Sequence, residues 1–309
     1  FCSHQITFFS NLVKTIQIRL VLPIDINNIF SVNESSFDDL CNTVFQFQYQ
    51  YNPVYHQWVD LIDSLPSERK IPQKIPALPI SFFKEQQVKT GNWQEQKIFE
   101  SSGTTGMVSS RHHVANLAIY EQAFLEGFER QYGSIQNWCV LALLPAYLER
   151  ENSSLVYMAN KMIAMSGHSE SGFYLYNYAE LANKIAALES RGQPTLLLGV
   201  TFALLDFAAQ FPMQLTYTVV METGGMKGRG RELTRPELHE TLIERLSLPS
   251  IHAEYGMTEL LSQAYSKSGG RYYCPPWMKV FVRKEDDPLA ILTEGTGLLQ
   301  IIDLANIYS

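Results

Sequence analysis

Apolar residues recur at helical spacing through residues 37–65, among many aromatics and acids, and predict one or two helices forming an N-terminal subdomain. Four prolines follow within residues 66–79. Proline fixes φ and removes a backbone donor, so this stretch is expected to be an extended connector. After the short apolar pair Ile98-Phe99 the pattern alternates between two periods. Residues 116–132 are helix-like, and residues 138–144 form an apolar run ended by Pro145, as in a buried strand. Residues 178–190 place Leu181, Ile185 and Leu188 on one helical face, with Gly192 beyond the end. Residues 195–211, the longest apolar run, change character midway: a strand over 195–200, then a helix over 204–210 that contains Asp206. A β-branched strand over 215–221 leads to Gly224-Gly225, and a helix over 234–247 opens with Thr234-x-x-Glu237 and Pro236. Short strands are expected at 251–254 and 298–303. Strands alternating with helices imply an α/β fold, layered sheets with flanking helices and parallel pairing.

Composition narrows the classes without naming a function. Apolar residues make up 46% of the 309 and charged residues 18%, a globular balance. The net charge is −7 with no cluster of Lys or Arg, which argues against a nucleic-acid surface. No run is long and apolar enough to predict a membrane span. Cys2, Cys41, Cys139 and Cys274 form neither a CxxC pair nor a zinc spacing, which fits a reducing, cytoplasmic compartment; Cys139 reads as a buried small hydrophobe. Residues 1–22 lack the basic start and unbroken apolar core of a signal peptide. The chain stops six residues after the strand ending at Asp303, so a C-terminal truncation is expected.

Four segments carry candidate chemistry. In Ser101-Ser102-Gly103-Thr104-Thr105-Gly106, two glycines let several N–H groups turn toward one anion, and four hydroxyls add donors without bulk. No Gly-Lys-Ser/Thr follows, so it is not a Walker loop, and alone it reads equally as a flexible surface loop. Glu254-Tyr-Gly-Met-Thr-Glu259 follows a strand, where ligands bind in open α/β sheets. There Tyr255 offers a flat face for a purine, Thr258 a hydroxyl for phosphate, and Glu259 a carboxylate for Mg²⁺; an ordinary turn with a solvated Glu259 is the plainer alternative. A glycine-dense loop around Gly224 and Gly225 permits close ligand approach, with Lys227, Arg229 and Arg231 as phosphate partners or plain exposed charges. Finally, Gly295-Thr-Gly297 leads into the strand ending at Asp303, either a ribose acceptor or a turn former.

The order and spacing of these segments, with Gly297-Leu-Leu-x-x-x-Asp303 last, resemble the acyl-adenylate-forming superfamily. Within it, the connector from Ile75 to Lys84 and the loop from Glu222 to Arg229 are most similar to the acyl-protein synthetase family of bacterial bioluminescence (LuxE-type); phenylacetate–CoA ligases come next. The resemblance implies a helical extension with a proline-rich connector over 1–74, an adenylate-forming core over 75–309, and a missing C-terminal lid that would carry the adenylation lysine. It implies ATP-dependent activation of a carboxylic acid, on the LuxE likeness a fatty acid, to acyl-AMP, then transfer to a thiol of a protein partner or of CoA. A non-catalytic nucleotide-binding or acyl-AMP-binding module is the alternative.

Residue by residue, the resemblance implies that residues 101–106 wrap the ATP phosphates, Gly224 and Gly225 border the nucleotide, and Tyr255 stacks on adenine. Thr258 would touch the α-phosphate, Glu259 hold Mg²⁺, Asp303 bind the ribose, and Tyr147 form an aromatic gate near the acyl group. Residues 199–202 and Ala253 would wall the acyl pocket. The family's acyl-accepting cysteine is assigned to none of the four here.

Overall fold

The computed structural model describes residues 24–62, 71–102, 108–145, 151–224, 233–287 and 290–309. After the short α1 (Ile26–Phe30), the N-terminal amphipathic stretch forms two helices, α2 (Phe37–Tyr51) and α3 (Pro53–Leu61). Asn52 causes the break. Its Oδ1 accepts from Val54 N at 3.2 Å and Tyr55 N at 3.1 Å, satisfying donors that an incoming helix leaves unpaired, while Pro53 has no N–H to satisfy. Of the proline-rich connector, the described part makes one 3₁₀ turn at Pro72–Lys74 and then runs without regular structure to α4 (Phe82–Glu85).

A β-hairpin follows, β1 (Lys97–Glu100) with β2 (Arg111–Val114), and then α5 (Leu117–Tyr132). The main layer is a six-stranded sheet. Its elements in chain order are β3 (Cys139–Leu143), α6 (Ser154–Ser166), β4 (Gly172–Tyr174), α7 (Tyr178–Ser190), β5 (Thr195–Gly199), α8 (Thr201–Gln210), β6 (Thr218–Thr223), α9 (Arg235–Leu246), β7 (His252–Tyr255) and β8 (Ala264–Ser266). The strand order is β4-β3-β5-β6-β7-β8; all pairs are parallel except β7–β8. The chain is therefore α/β, as its alternating pattern predicts. Every residue of β3 and β5 is buried, the signature of parallel strands covered on both faces.

Helix α9 carries the expected capping box, Thr234 and Glu237 bonding each other's backbone. The strand expected at 215–221 runs instead over 218–223. Leu215 N is bonded to Leu246 O, and the Glu189 carboxylate takes Thr216 N and Tyr217 N, so the ladder opens at Thr218. Helix α6 and strand β4, for which no element is expected from the pattern, fill the interval between β3 and α7.

A second, antiparallel sheet has the order β10-β9-β11, from β9 (Met278–Arg283), β10 (Ile291–Leu292) and β11 (Leu298–Asp303). The N-terminal helices and the main sheet share one hydrophobic cluster, running from Ile24 to Ile307. Trp277 is wholly buried in it, edge-on to Phe30 at 5.0 Å, and its indole N–H donates to Ser262 Oγ at 2.9 Å. Each large apolar side chain so buried contributes about 1.5–3 kcal/mol. Among the described residues no helix is long and apolar enough to cross a membrane.

Candidate functional site

Parallel pairing puts the C-terminal ends of β3, β5, β6 and β7 along one edge of the sheet, the edge at which open α/β folds bind ligands. Three of the four candidate segments leave from or lie against that edge. They meet at a cavity of about 150 Å³ whose wall includes Ser102, Gly224, Glu254, Gly256 and Thr258. Segments more than 150 residues apart in sequence thus share one small space.

The hydroxyl-rich loop is held by its neck. Ser101 continues the β1–β2 ladder, its N–H donating to Ser110 O at 3.0 Å, while Ser101 Oγ accepts from Ser110 N at 2.8 Å. Ser102 is exposed at the cavity. Gly103, Thr104, Thr105 and Gly106 lie outside the described residues, as do Tyr147, Gly225, Lys227, Arg229 and Arg231. Gly224 takes φ of 74°, a value that favours glycine, and its carbonyl accepts from Thr201 Oγ1.

The turn after β7 is anchored on both sides. His112, buried on β2, presents Nδ1 to Thr258 O at 2.8 Å. A carbonyl only accepts, so Nδ1 carries the proton, and burial lowers the pKa of His112 to about 4, keeping it neutral. Asn306 Nδ2 donates to Glu259 O at 3.0 Å. Half-buried Tyr255 stands edge-on to Tyr272, centroids 6.1 Å apart, and its hydroxyl donates to Met257 Sδ at 3.1 Å.

Tyr255 and Glu259 face a second, larger cavity of about 1550 Å³, lined by α2, α3, residues 71–83 and β11. Glu259 is buried, and no described group hydrogen-bonds its carboxylate. A lone unpaired carboxylate suits Mg²⁺, which takes one or two protein carboxylates and completes its shell with phosphate oxygens and water. Among the described residues no group of three acidic, His or Cys side chains could hold a metal without such help.

Asp303 has a different task from the expected ribose contact. Its Oδ2 accepts from Leu261 N at 3.0 Å and Ser262 N at 2.9 Å; its Oδ1 accepts from Ser262 Oγ at 2.7 Å and Ala305 N at 3.1 Å. A carboxylate has about four acceptor sites, and all four are filled. Asp303 ties the end of β11 to the chain after the β7 turn, and these internal bonds compete with any ribose contact.

Glu254, to which the sequence assigns no task, lines the small cavity. It accepts from Thr223 Oγ1 at the end of β6. Burial, reinforced by nearby Glu222, pushes its pKa up to about 7, while the Thr223 bond works the other way. Glu222 itself is paired with Arg235 Nε at 3.2 Å. No sequence signal marks Glu254 out, because β7 reads His252-Ala253-Glu254-Tyr255 and carries a second polar residue.

No protein-family model and no curated protein matches the chain. Among solved structures, the crystal structure of CmiS6 is similar, with a TM-score of 0.42 and 13% identity over 76% of this chain and 54% of that one. The chain thus spans about half the length of that protein, 54%.

Proposed function

We propose that the chain belongs to an enzyme that uses ATP to activate a carboxylic acid as its acyl-adenylate and then passes the acyl group to a thiol. The observation that carries this reading is the convergence of the Ser101–Ser102 neck, Gly224 and the turn from Gly256 to Thr258 on one strand-end cavity. Hydroxyls and backbone amides gathered there suit an anion, and a sheet edge fixes their positions without reorganisation.

In this reading the acid's carboxylate oxygen attacks the α-phosphorus of ATP in line, forming the C–O–P link of acyl-AMP as the bond to pyrophosphate breaks. Thr258, locked through its carbonyl by His112, meets the α-phosphate. Ser102, at the neck of the hydroxyl-rich loop, meets the outer phosphates. Tyr255 provides the flat face for adenine. Glu259 would hold Mg²⁺, which supplies neutralisation of phosphate charge when bound. Holding both reactants at one edge contributes up to roughly 7–11 kcal/mol in ideal cases. The sulfur of a thiol then attacks the acyl carbon and AMP leaves. Burial raises the thiols of Cys41 (to about 12), Cys139 and Cys274, which makes all three poor thiolates. These thiols are disfavoured as acceptors, and CoA or a partner's cysteine fits the transfer step better.

The test is ATP–pyrophosphate exchange over a panel of carboxylic acids, with native protein and Glu259→Ala. At least one acid should support exchange, and Glu259→Ala should lower it 100-fold or more. Exchange with no acid refutes the activation reading; undiminished exchange in Glu259→Ala refutes the magnesium assignment.

A further inference from the structure

Glu259 is a buried acid whose carboxylate no described group hydrogen-bonds, so its direction comes from the backbone that carries it. A peptide unit is planar. Holding the carbonyls on both sides of a Cα therefore fixes that residue's φ and ψ, and with them the line of its Cα–Cβ bond. Both carbonyls flanking the Glu259 Cα are held, each by a side chain from a distant part of the chain. His112 Nδ1, on β2, donates to Thr258 O at 2.8 Å, and Asn306 Nδ2, beyond the end of β11, donates to Glu259 O at 3.0 Å. The next residues are fixed separately: Leu260 N donates to Met257 O at 3.2 Å, and Asp303 holds Leu261 N and Ser262 N.

The two tethers are themselves secured. His112 is 1% exposed and stands edge-on to Phe83, centroids 5.8 Å apart. Its Nε2 lies 2.8 Å from Ser309 Oγ, and Asn306 Oδ1 lies 2.6 Å from the same hydroxyl, so both side chains meet at Ser309. The single hydroxyl proton serves one of them at a time. Helix α2 braces the far side. Gln48 Nε2 donates both its protons to this segment, to Asn306 O at 2.9 Å and to Ser309 O at 2.8 Å. Gln48, Glu259, Asn306 and Ser309 all line the large cavity, so the brace stands beside the space that the carboxylate faces.

We propose that His112 and Asn306 are positioning residues for Glu259: acting through the two carbonyls beside its Cα, they aim its carboxylate into the large cavity, where a magnesium-bound nucleotide would meet it. The cation rests on the acyl-activation reading above, whereas the tethers stand on hydrogen bonds independent of it. Placement matters at such a site, since a shift of about 1 Å costs up to about 100-fold in rate.

Three substitutions separate aim from general stability. Asn306→Leu and His112→Leu each remove one donor, and His112→Asn keeps an N–H near the place of Nδ1. The experiment is hydrogen exchange in the ligand-free protein, read over residues 256–260, with calorimetric titration of ATP in the presence and absence of Mg²⁺. Urea denaturation sets the range in which every variant is folded. Asn306→Leu and His112→Leu should speed exchange at 256–260 tenfold or more and leave β3 and β5 within twofold of native. They should weaken ATP binding fivefold or more with Mg²⁺ and less than twofold without it. His112→Asn should return both readouts to within threefold of native. Native-like exchange at 256–260 in both leucine variants overturns the proposal. Acceleration spread equally over the sheet, or equal weakening of ATP with and without Mg²⁺, overturns it too, because a merely structural role gives those results. If Mg²⁺ does not strengthen ATP binding to native protein, the magnesium assignment fails by itself, and exchange at 256–260 then decides the tethers.

Discussion

Replacing Asp303 by Asn tests whether this residue holds the fold or the nucleotide. The four donors on its carboxylate are three backbone N–H groups and the Ser262 hydroxyl. An amide offers one acceptor oxygen and one NH₂. Its best placement keeps the oxygen on Leu261 N and Ser262 N and turns NH₂ toward Ser262 Oγ, whose hydroxyl rotates to accept. Ala305 N–H is then left facing a donor. One orphaned buried donor costs about 1–3 kcal/mol, and the two bonds that lose their charged acceptor weaken by up to about 1 kcal/mol each. Removing a buried charge returns part of this, because burial raises the pKa of Asp303 and so disfavours its ionised form.

The expected net loss for Asp303→Asn is about 3 kcal/mol. Urea denaturation measures it: the midpoint should fall at an unchanged m-value. Under the proposed activity, the KM for ATP should change less than twofold at a temperature where both proteins are folded. A stability loss under about 1 kcal/mol together with a large rise in that KM would refute the reasoning and return Asp303 to the ribose.

Two further substitutions probe close packing and buried charge. Gly297→Ala would put a Cβ 2.1 Å from the backbone oxygen of Arg283, which is fixed in the β9 ladder, so a loss of about 2 kcal/mol or more is expected in thermal unfolding, and a neutral change would count against the β9–β11 pairing. Glu254→Gln should separate from native protein with pH. The folded carboxyl, raised from 4.5 to about 7, holds a proton that the unfolded chain releases, so native stability from this group declines as pH rises between those values. The span corresponds to about 3 kcal/mol, by which Glu254→Gln should gain on native protein from pH 4.5 to pH 8 in chemical denaturation. His112 and His252, both lowered to about 4 by burial, work in the opposite sense in both proteins and cancel in the difference; a flat difference across this range would show that Glu254 is not buried as described.

The sequence makes the sheet legible because parallel strands are buried on both faces and read as unbroken apolar runs. The expected runs at 138–144 and 195–200 contain β3 and β5 with little excess. It was less informative at 151–177. Helix α6 has Ser153 as its cap and Gly167, φ 63°, as its stop, but its polar interior positions blur the period. Strand β4 has three residues, too few for any period to appear. Ser102, Gly224 and Thr258 were found by type and spacing, and the structure brings them to one wall. Asp303 shows the limit of such reasoning. A strand-end acid looks the same in sequence whether its oxygens face a ligand or four internal donors, and only the position of residues 261–262 decides.

The same limit explains Glu254. Its chemistry depends on β6, where Thr223 stands directly opposite it in the parallel register, and on β8, where Tyr265 stands opposite it in the antiparallel one. The reversal of direction at β8 lets residues 256–263 turn back across the sheet edge, so Thr258 and Gln263 both come to the cavity that Glu254 lines. A sheet that stayed parallel at β8 would need a crossover of a dozen or more residues there, and Gln263 could not return so soon. One short strand, β7, thereby serves two cavities: Tyr255 on the large side and Glu254 on the small, separated only by the alternation of the backbone.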